Sequence, residues 1–422
     1  MSGVLAIALL AVPDALSGPA PVSTDAVLAF AEVHAPRLRA ADRQSEAAAA
    51  RVATGDRWPE PQATVRVAAM PIETRNGPAW STVGIGQRFP WLDALSARRD
   101  SLTADADVAR AERNLISLTV QVEALAALHR LAASRAEAAI NDEMRAIADR
   151  VLRTAEERLA VADARSDVIR AQVEVARLET VSIDLEDVAL TRQAELNVAI
   201  GRDPLAPIGP LAPTVHDPVA DLDTLLTVAG DHPALVRQDA RVASARARLR
   251  ETGVLGRPGL SIGVDYTVIG EPAGMAVDPG RDALGFHVGI ELPLWNGAVY
   301  DAEQRSAAAA VEAERATRDA TRDAVARQVV EQVSRADTAL RRLRLYRGTA
   351  LPLAEQDLEL ALAAYATGRA GFERVLDAER TREQFAVAAV RATADFAVAR
   401  AMLARAVGQP LVPPTSSAGE ME

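Results

Sequence analysis

Any chemistry this chain performs would have to come from a short inventory of residues. There is no cysteine, which removes disulfides, thiolate nucleophiles and cysteine metal ligands together. The five histidines, at 34, 129, 216, 232 and 287, are scattered without metal-ligand spacing. Ser166 lies beside Asp167, but no histidine is near in sequence to complete a nucleophile–base pair, and a helix cap is the plainer reading. Gly84-Ile85-Gly86 lacks the third glycine and the following helix of a dinucleotide-binding turn. Met70 and Met275 fall in two loops, where packing explains them better than a soft-metal contact. The sequence therefore predicts no catalytic residues, no metal and no cofactor: not an enzyme.

Charge and composition narrow the field further. A formal net charge of −11 argues against nucleic acid, which needs a basic face to displace phosphate counterions. Aromatics are only 3% of the chain and charged residues 25%. With alanine dominant, that composition suits long helices packed side by side and not a thick globular core.

The elements that must position any site come in two copies. Pro36, Leu38, Asp42, Arg51, Pro61, Val65 and Val67 recur 197 positions later as Pro233, Leu235, Asp239, Arg248, Pro258, Ile262 and Val264. Phe89-Pro90 answers to Leu292-Pro293 at 203, and Val168, Ala171 and Gly201 to Val375, Ala378 and Gly408 at 207. An offset that grows in steps is what a duplication with later loop insertions leaves behind. The organisation read from this is a probable-signal segment at 1–21, a first repeat at 22–201 and a connector at 202–222. A second repeat follows at 223–408, then a flexible tail at 409–422. Val4 to Val12 has the length of a signal-peptide apolar run but lacks a positive n-region; an apolar helix of the mature chain is the other reading. No other stretch looks long and apolar enough to span a membrane as a helix.

Within each repeat the period changes from helical to alternating and back. Arg37 to about Arg57 is helical, and Pro59 and Pro61 stop it. Ala63 to Ala68 and Ser81 to Gln87 alternate with period two, Val65, Val67, Val83 and Ile85 each on one face, as a hairpin does. Leu92 to about Leu159 contains neither proline nor glycine, a helix of about 100 Å at 1.5 Å per residue. Leu115, Leu118, Val122, Leu125 and Leu128 mark its seam. The chain turns around 162–167, and Asp167 or Ser166 caps a return helix to Ile200. The second copy predicts strands at Leu260–Val268 and Phe286–Leu292. A long helix from Val299 to about Tyr365 follows, which Pro352 should kink, then a turn at 368–371 and a last helix to Val407. His34 and His232, at repeated helix starts, read as structural.

All four tryptophans, Trp58, Trp80, Trp91 and Trp295, fall just outside the predicted strands. Membrane β-barrels place aromatic belts in this way; ordinary capping of a small sheet is the competing reading. Four strands cannot close a barrel alone, and open edges in lipid leave backbone groups unsatisfied. A membrane reading thus forces oligomerisation, and three chains would supply twelve strands and twelve helical strands.

Several stretches, in order and in both copies, then resemble one family. They are His34-Ala35-Pro36-Arg37-Leu38-Arg39 with His232-Pro233-Ala234-Leu235, and Val83 to Phe89 continuing through Pro90-Trp91. Asp167-Val168-Ile169-Arg170-Ala171-Gln172, Tyr365-Ala366-Thr367-Gly368 and Val375-Leu376-Asp377-Ala378 complete the set. Over residues 22–412 the chain resembles the TolC-like outer membrane efflux proteins, most closely the members paired with heavy-metal efflux pumps. The resemblance implies a mainly α fold with two β-hairpins, a tandem-duplicated channel-tunnel protomer. As a homotrimer it would form a 12-stranded β-barrel in outer membrane lipid and a long α-helical barrel in the periplasm. The implied partners are a periplasmic adaptor (membrane fusion) protein and an inner-membrane pump, the chain being a passive gated conduit for metal cations or drugs. At the periplasmic tip the resemblance points to Tyr365, Gly368, Asp377 and the Asp167 turn. Arg374 stands where a second acid is common, so Glu373 would substitute for that acid or Arg374 would latch onto Asp377. On a strand, His287 could face the lumen. The alternative is a periplasmic coiled-coil adaptor or scaffold without a pore.

Overall fold

The computed structural model describes residues 16–70, 73–74, 77–159, 165–212, 220–271 and 281–409. The apolar run at 4–12, Met275, His216, most of the turn at 160–164 and the tail from 410 lie outside the described residues. The elements run α1 (Thr24–His34), α2 (Pro36–Val52), β1 (Gln62–Val67), β2 (Glu73–Thr74), β3 (Gly77–Phe89), α3 (Leu92–Leu159) and α4 (Arg165–Ile200). Then come α5 (Leu222–Val228), α6 (Pro233–Thr252), β4 (Gly259–Ile269), β5 (Ala283–Glu291), α7 (Gly297–Leu345), α8 (Leu351–Ala366) and α9 (Phe372–Val407).

Two compact units emerge, and each draws on both halves of the sequence. One takes the described parts of residues 1–42, 113–234 and 322–422; the other takes 43–112 and 235–321. The first unit is wholly helical and holds several small cores. Val27 and Ala31 of α1 meet Ala124, Leu128 and Leu131 of α3 and Leu196 and Ile200 of α4. Leu225 of α5 meets Val325 and Val329 of α7 and Leu403 and Val407 of α9. Helices this rich in alanine approach closely, so each core is thin and the seam leucines and valines carry most of the apolar burial. Leu118, Val122 and Leu128 of the α3 seam are all buried.

The paired motifs meet in space. Gly201 and Gly408 both sit at φ +82°, just past the ends of α4 and α9, where L side chains are strained. A Cβ on Gly201 would strike the His34 carbonyl and come within 2.9 Å of Pro36 Cδ; on Gly408 it would lie 2.6 Å from Pro233 Cδ and 2.9 Å from His232. The glycine of each repeat is thus pressed against the proline-led helix of the same repeat. His34 stacks on Phe30 at 4.1 Å and bonds its carbonyl through Nδ1. His232 Nε2 donates to the Arg405 carbonyl at 2.8 Å while Nδ1 accepts from Ala234 N–H at 3.0 Å. Burial holds its pKa down, in keeping with the neutral ring those two bonds require.

Three expectations need correction. Pro352 does not simply kink a helix: the chain widens into one π-turn, Tyr346–Ala350, and resumes as α8 with proline in its first turn. The wider turn relieves the clash and the missing donor of proline. Helix α4 begins at Arg165, so Ser166 and Asp167 lie within its first turn and not at its cap. And α3 does contain an 18-residue window of mean hydropathy 1.3, half of it buried, which passes a length-and-composition test for a membrane span.

The second unit carries an antiparallel sheet in the order β1-β3-β4-β5, with the short β2 beside β3. The two hairpins are joined by β3 and β4, from Ala79↔Ile269 to Phe89↔Leu260. That long-range pairing is why β3 runs 13 residues, well beyond the alternating stretch at 81–87. Trp80 consequently lies inside the strand, at an irregularity between Ala79 and Ser81, and not just outside it.

Gly201→Ala and Gly408→Ala should each destabilise the helical unit by about 2 kcal/mol or more, from positive φ plus backbone overlap. Thermal unfolding of the two variants checks this, with Gly348→Ala, where a Cβ meets open space, as the silent control.

Candidate functional site

No cluster of three or more metal-binding side chains exists among the described residues. What stands out instead is a two-faced sheet and a charged helical turn.

Register fixes the sheet faces. Val65 pairs with Val83, Ala63 with Ile85, Val83 with Tyr266, Ile85 with Val264 and Phe89 with Leu260. Leu260, Ile262, Val264 and Tyr266 pair in turn with Ile290, Val288, Phe286 and Leu284. Side chains alternate across a strand, so all of these share one face. That apolar face is open: Val67 is 73% exposed and Phe286 77%. The opposite face carries Thr64, Arg66, Thr82, Gly84, Gly86, Ser261, Gly263, Asp265, His287 and Gly289. Here His287 Nδ1 lies 2.7 Å from Asp265 Oδ2, and Arg88 pairs with Glu291. The missing Cβ atoms of Gly84 and Gly263 leave the space that Asp265 and His287 occupy. Helix-proximal ends of the strands carry Trp58, edge-on to Phe89 at 5.1 Å, together with Trp91 and the 90%-exposed Trp295. Trp80 stands at the other end. Eleven residues separate Trp80 from Trp91, about 28 Å for a strand tilted some 40°.

At the turn between α8 and α9, Tyr365 is buried and meets Phe372 edge-on at 6.2 Å. Both belong to a core with Met144, Ile147, Leu178, Leu358 and Val375. Gly368, at φ +74°, lets its N–H return to the Tyr365 carbonyl at 3.0 Å while Arg369 N–H reaches Ala364. Tyr365 and Gly368 are thus the fixed frame of the turn. The charges lie outside it. Glu373 pairs with Arg170 of α4, and Arg374 pairs with Asp357 of α8. Arg374 holds the Asp357 carboxyl below the usual carboxylate range. The Arg374–Asp377 latch is therefore not formed here: Asp377 is exposed and touches Arg374 only through its field. Asp167 is half-buried one turn before Arg170.

Further along the same two helices lies a denser group that sequence reading missed. Glu174, 3% exposed, accepts from Arg177 Nε at 2.7 Å and from Arg380 Nη2 at 3.0 Å. Arg177 also reaches Glu383 at 2.7 Å. Arg382 and Arg391 of α9 bind Glu143 and Glu137 of α3. The available signal was spacing: Arg170, Glu174 and Arg177 step by four and three on α4, as do Glu373, Arg380 and Glu383 by seven and three on α9, one face of a helix each.

Residues 227–409 match the model of the family described as outer membrane efflux protein. No curated protein sequence matches it. Among solved structures it is similar to the outer membrane protein VceC from Vibrio cholerae, with a TM-score of 0.73 at 18% identity over 92% of this chain and 96% of that one. It is similar to CusC, with a TM-score of 0.74 at 14% identity over 92% of both chains. The open-state MtrE outer membrane channel of Neisseria gonorrhoeae gives 0.69 at 18% identity, over 92% and 89%. At these identities the likeness is one of fold.

Removing the buried Glu174 carboxylate takes a partner from both Arg380 and Arg177, whereas Glu373 pairs in water. Glu174→Ala should therefore cost about 2 kcal/mol and Glu373→Ala less than about 1 kcal/mol, measured by chemical unfolding of the purified protein.

Proposed function

We propose that this chain is the outer membrane channel component of a tripartite efflux system, a passive conduit with no reaction of its own. The observation that carries this reading is the sheet: one continuous apolar face, one polar face, and an edge strand at each end of the β1-β3-β4-β5 order. In lipid the apolar face is stabilised by burial, but β1 and β5 each present unpaired backbone groups that hydrocarbon cannot satisfy. Three copies pairing edge to edge give a closed 12-stranded barrel with Asp265, His287 and the Arg88–Glu291 pair facing the lumen. Such a barrel leaves the tryptophans as two girdles at the lipid–water boundaries. The scaffold alternative gives this sheet no task, since a soluble coiled-coil hairpin has no use for an exposed apolar sheet face.

The helical unit would lie in the periplasm, where an adaptor protein and an inner-membrane pump supply the energy. In this reading Asp377, Glu373, Arg374 and Asp167 stand at the tip, and the Arg374–Asp357 and Arg170–Glu373 pairs are the contacts that opening must break. Each pair is half-exposed and screened by water, weak enough for a docking partner to displace. Metal cations and drugs are both admitted as cargo by a lumen of this character.

The protein purified in detergent should have the mass of three chains, and in planar bilayers it should give small, long-lived conductance steps that widen in Arg374→Ala. A monomer without conductance would overturn the channel reading. Val264→Arg, at mid-strand on the apolar face, should cost about 2–4 kcal/mol and block insertion. Thr64→Arg, on the polar face beside Arg66, should insert normally, as folding into lipid vesicles would show.

A further inference from the structure

One carboxyl group in the helical unit has no use in the account above. Glu379 of α9 is 3% exposed, and its Oε1 finds no hydrogen-bond partner among the described residues. It is packed in the group that joins α4 to α9. Glu174 and Arg177 face it from α4, and Arg380 and Glu383 from its own helix. The other helices packed here, α3 and α8, contribute Met144, Ile147 and Leu358. Their nearest acids, Glu143 and Glu355, are both engaged by Arg382. Both guanidiniums facing Glu379 are already committed: Arg380 binds Glu174, and Arg177 bridges Glu174 to Glu383. Fully ionised, the group would hold three carboxylates against two guanidiniums, with Glu379 Oε1 left without a hydrogen-bond partner. An isolated buried carboxylate is among the costliest groups a fold can carry.

We propose that Glu379 is a proton-operated clasp between α4 and α9: protonated, it lets the two helices stay zipped beside the Thr367–Gly371 turn, and its ionisation parts them. Burial is the first cause that raises its carboxyl, the fields of Glu174 and Glu383 the next, and together they bring it up to about 7. The sign follows from that direction. A carboxyl raised on folding binds its proton more tightly in the closed helix pair than in the open one. The clasp is therefore at full strength at acid pH, below the ordinary carboxylate value, and weakens as pH rises through about 7. A groove of about 490 Å³ lies beside its neighbours, lined in part by Asn141, Arg380, Glu383 and Arg391. The bearing of this clasp on conduction rests on the channel reading; the clasp itself does not.

The test is amide hydrogen exchange of the full-length protein at pH 5.5 and pH 8, corrected for the intrinsic rate. Segments 165–180 and 372–385 should lose protection about ten-fold or more at pH 8 in the native chain. Glu379→Gln, which fixes the neutral form, should keep them protected at both pH values. If that variant does not fold, Glu379→Met serves in its place. Equal loss of protection in native and variant protein, or no loss in either, would overturn the clasp. Planar-bilayer recordings over the same pH range separate the two claims. Wider steps at pH 8 in the native protein alone support the clasp as part of the gate. A pH-dependent exchange pattern with no conductance at any pH supports the clasp and counts against the channel.

Discussion

One constraint governs the sheet: a backbone N–H or C=O without a partner is costly wherever water is excluded. A four-stranded sheet satisfies its interior pairs and leaves both outer edges open. Such a sheet, apolar on one side, would be an aggregation hazard in water and an incomplete solution in lipid. In the proposed channel, closure by further copies would resolve both at once and would set the exposed Val67, Phe286 and Trp295 against lipid. Within one chain they are liabilities. In a closed barrel they are the lipid contact and the interfacial belt.

The helical unit solves a different problem with different chemistry. Alanine-rich helices give close approach but little apolar area, so their pairing depends on seam residues supplemented by side-chain ion pairs. At the junctions the fit is steric: Gly201 against His34 and Pro36, Gly408 against His232 and Pro233. Beside the turn the fit is electrostatic, with Glu174 held between Arg177 and Arg380. A steric junction has one arrangement, whereas an ion-pair zip can be undone by a proton or a competing partner. Rigid and movable parts are thus distinguished by the type of interaction that holds them, within the same set of helices.

Much of the fold was legible beforehand because its signals are local. Proline- and glycine-free stretches mark α3, period-two alternation marks the strands, and the recurrence of Pro36 as Pro233 marks the repeat. The errors came where a distant partner overrides the local pattern. Strand β3 extends beyond its alternating stretch because β4 lies beside it, which draws Trp80 into the strand. Ahead of Pro352 the chain inserts a π-turn, Tyr346–Ala350, before α8 resumes. The charges around the α8–α9 turn were named, but their pairings were not: Arg374 chooses Asp357, seventeen positions back on α8, over Asp377, three positions on.

The sequence by itself determined the element order, the recurring pattern of residues and the two chemical faces of the strands. Each is set by the spacing of residue types along the chain, which needs no partner to be read. Only the tertiary structure decided which charges meet. Whether Glu379 is a surface carboxylate or a buried one depends on what α4 and α3 bring against it. Burial and pairing are properties of two helices at once, and no single stretch of sequence contains both.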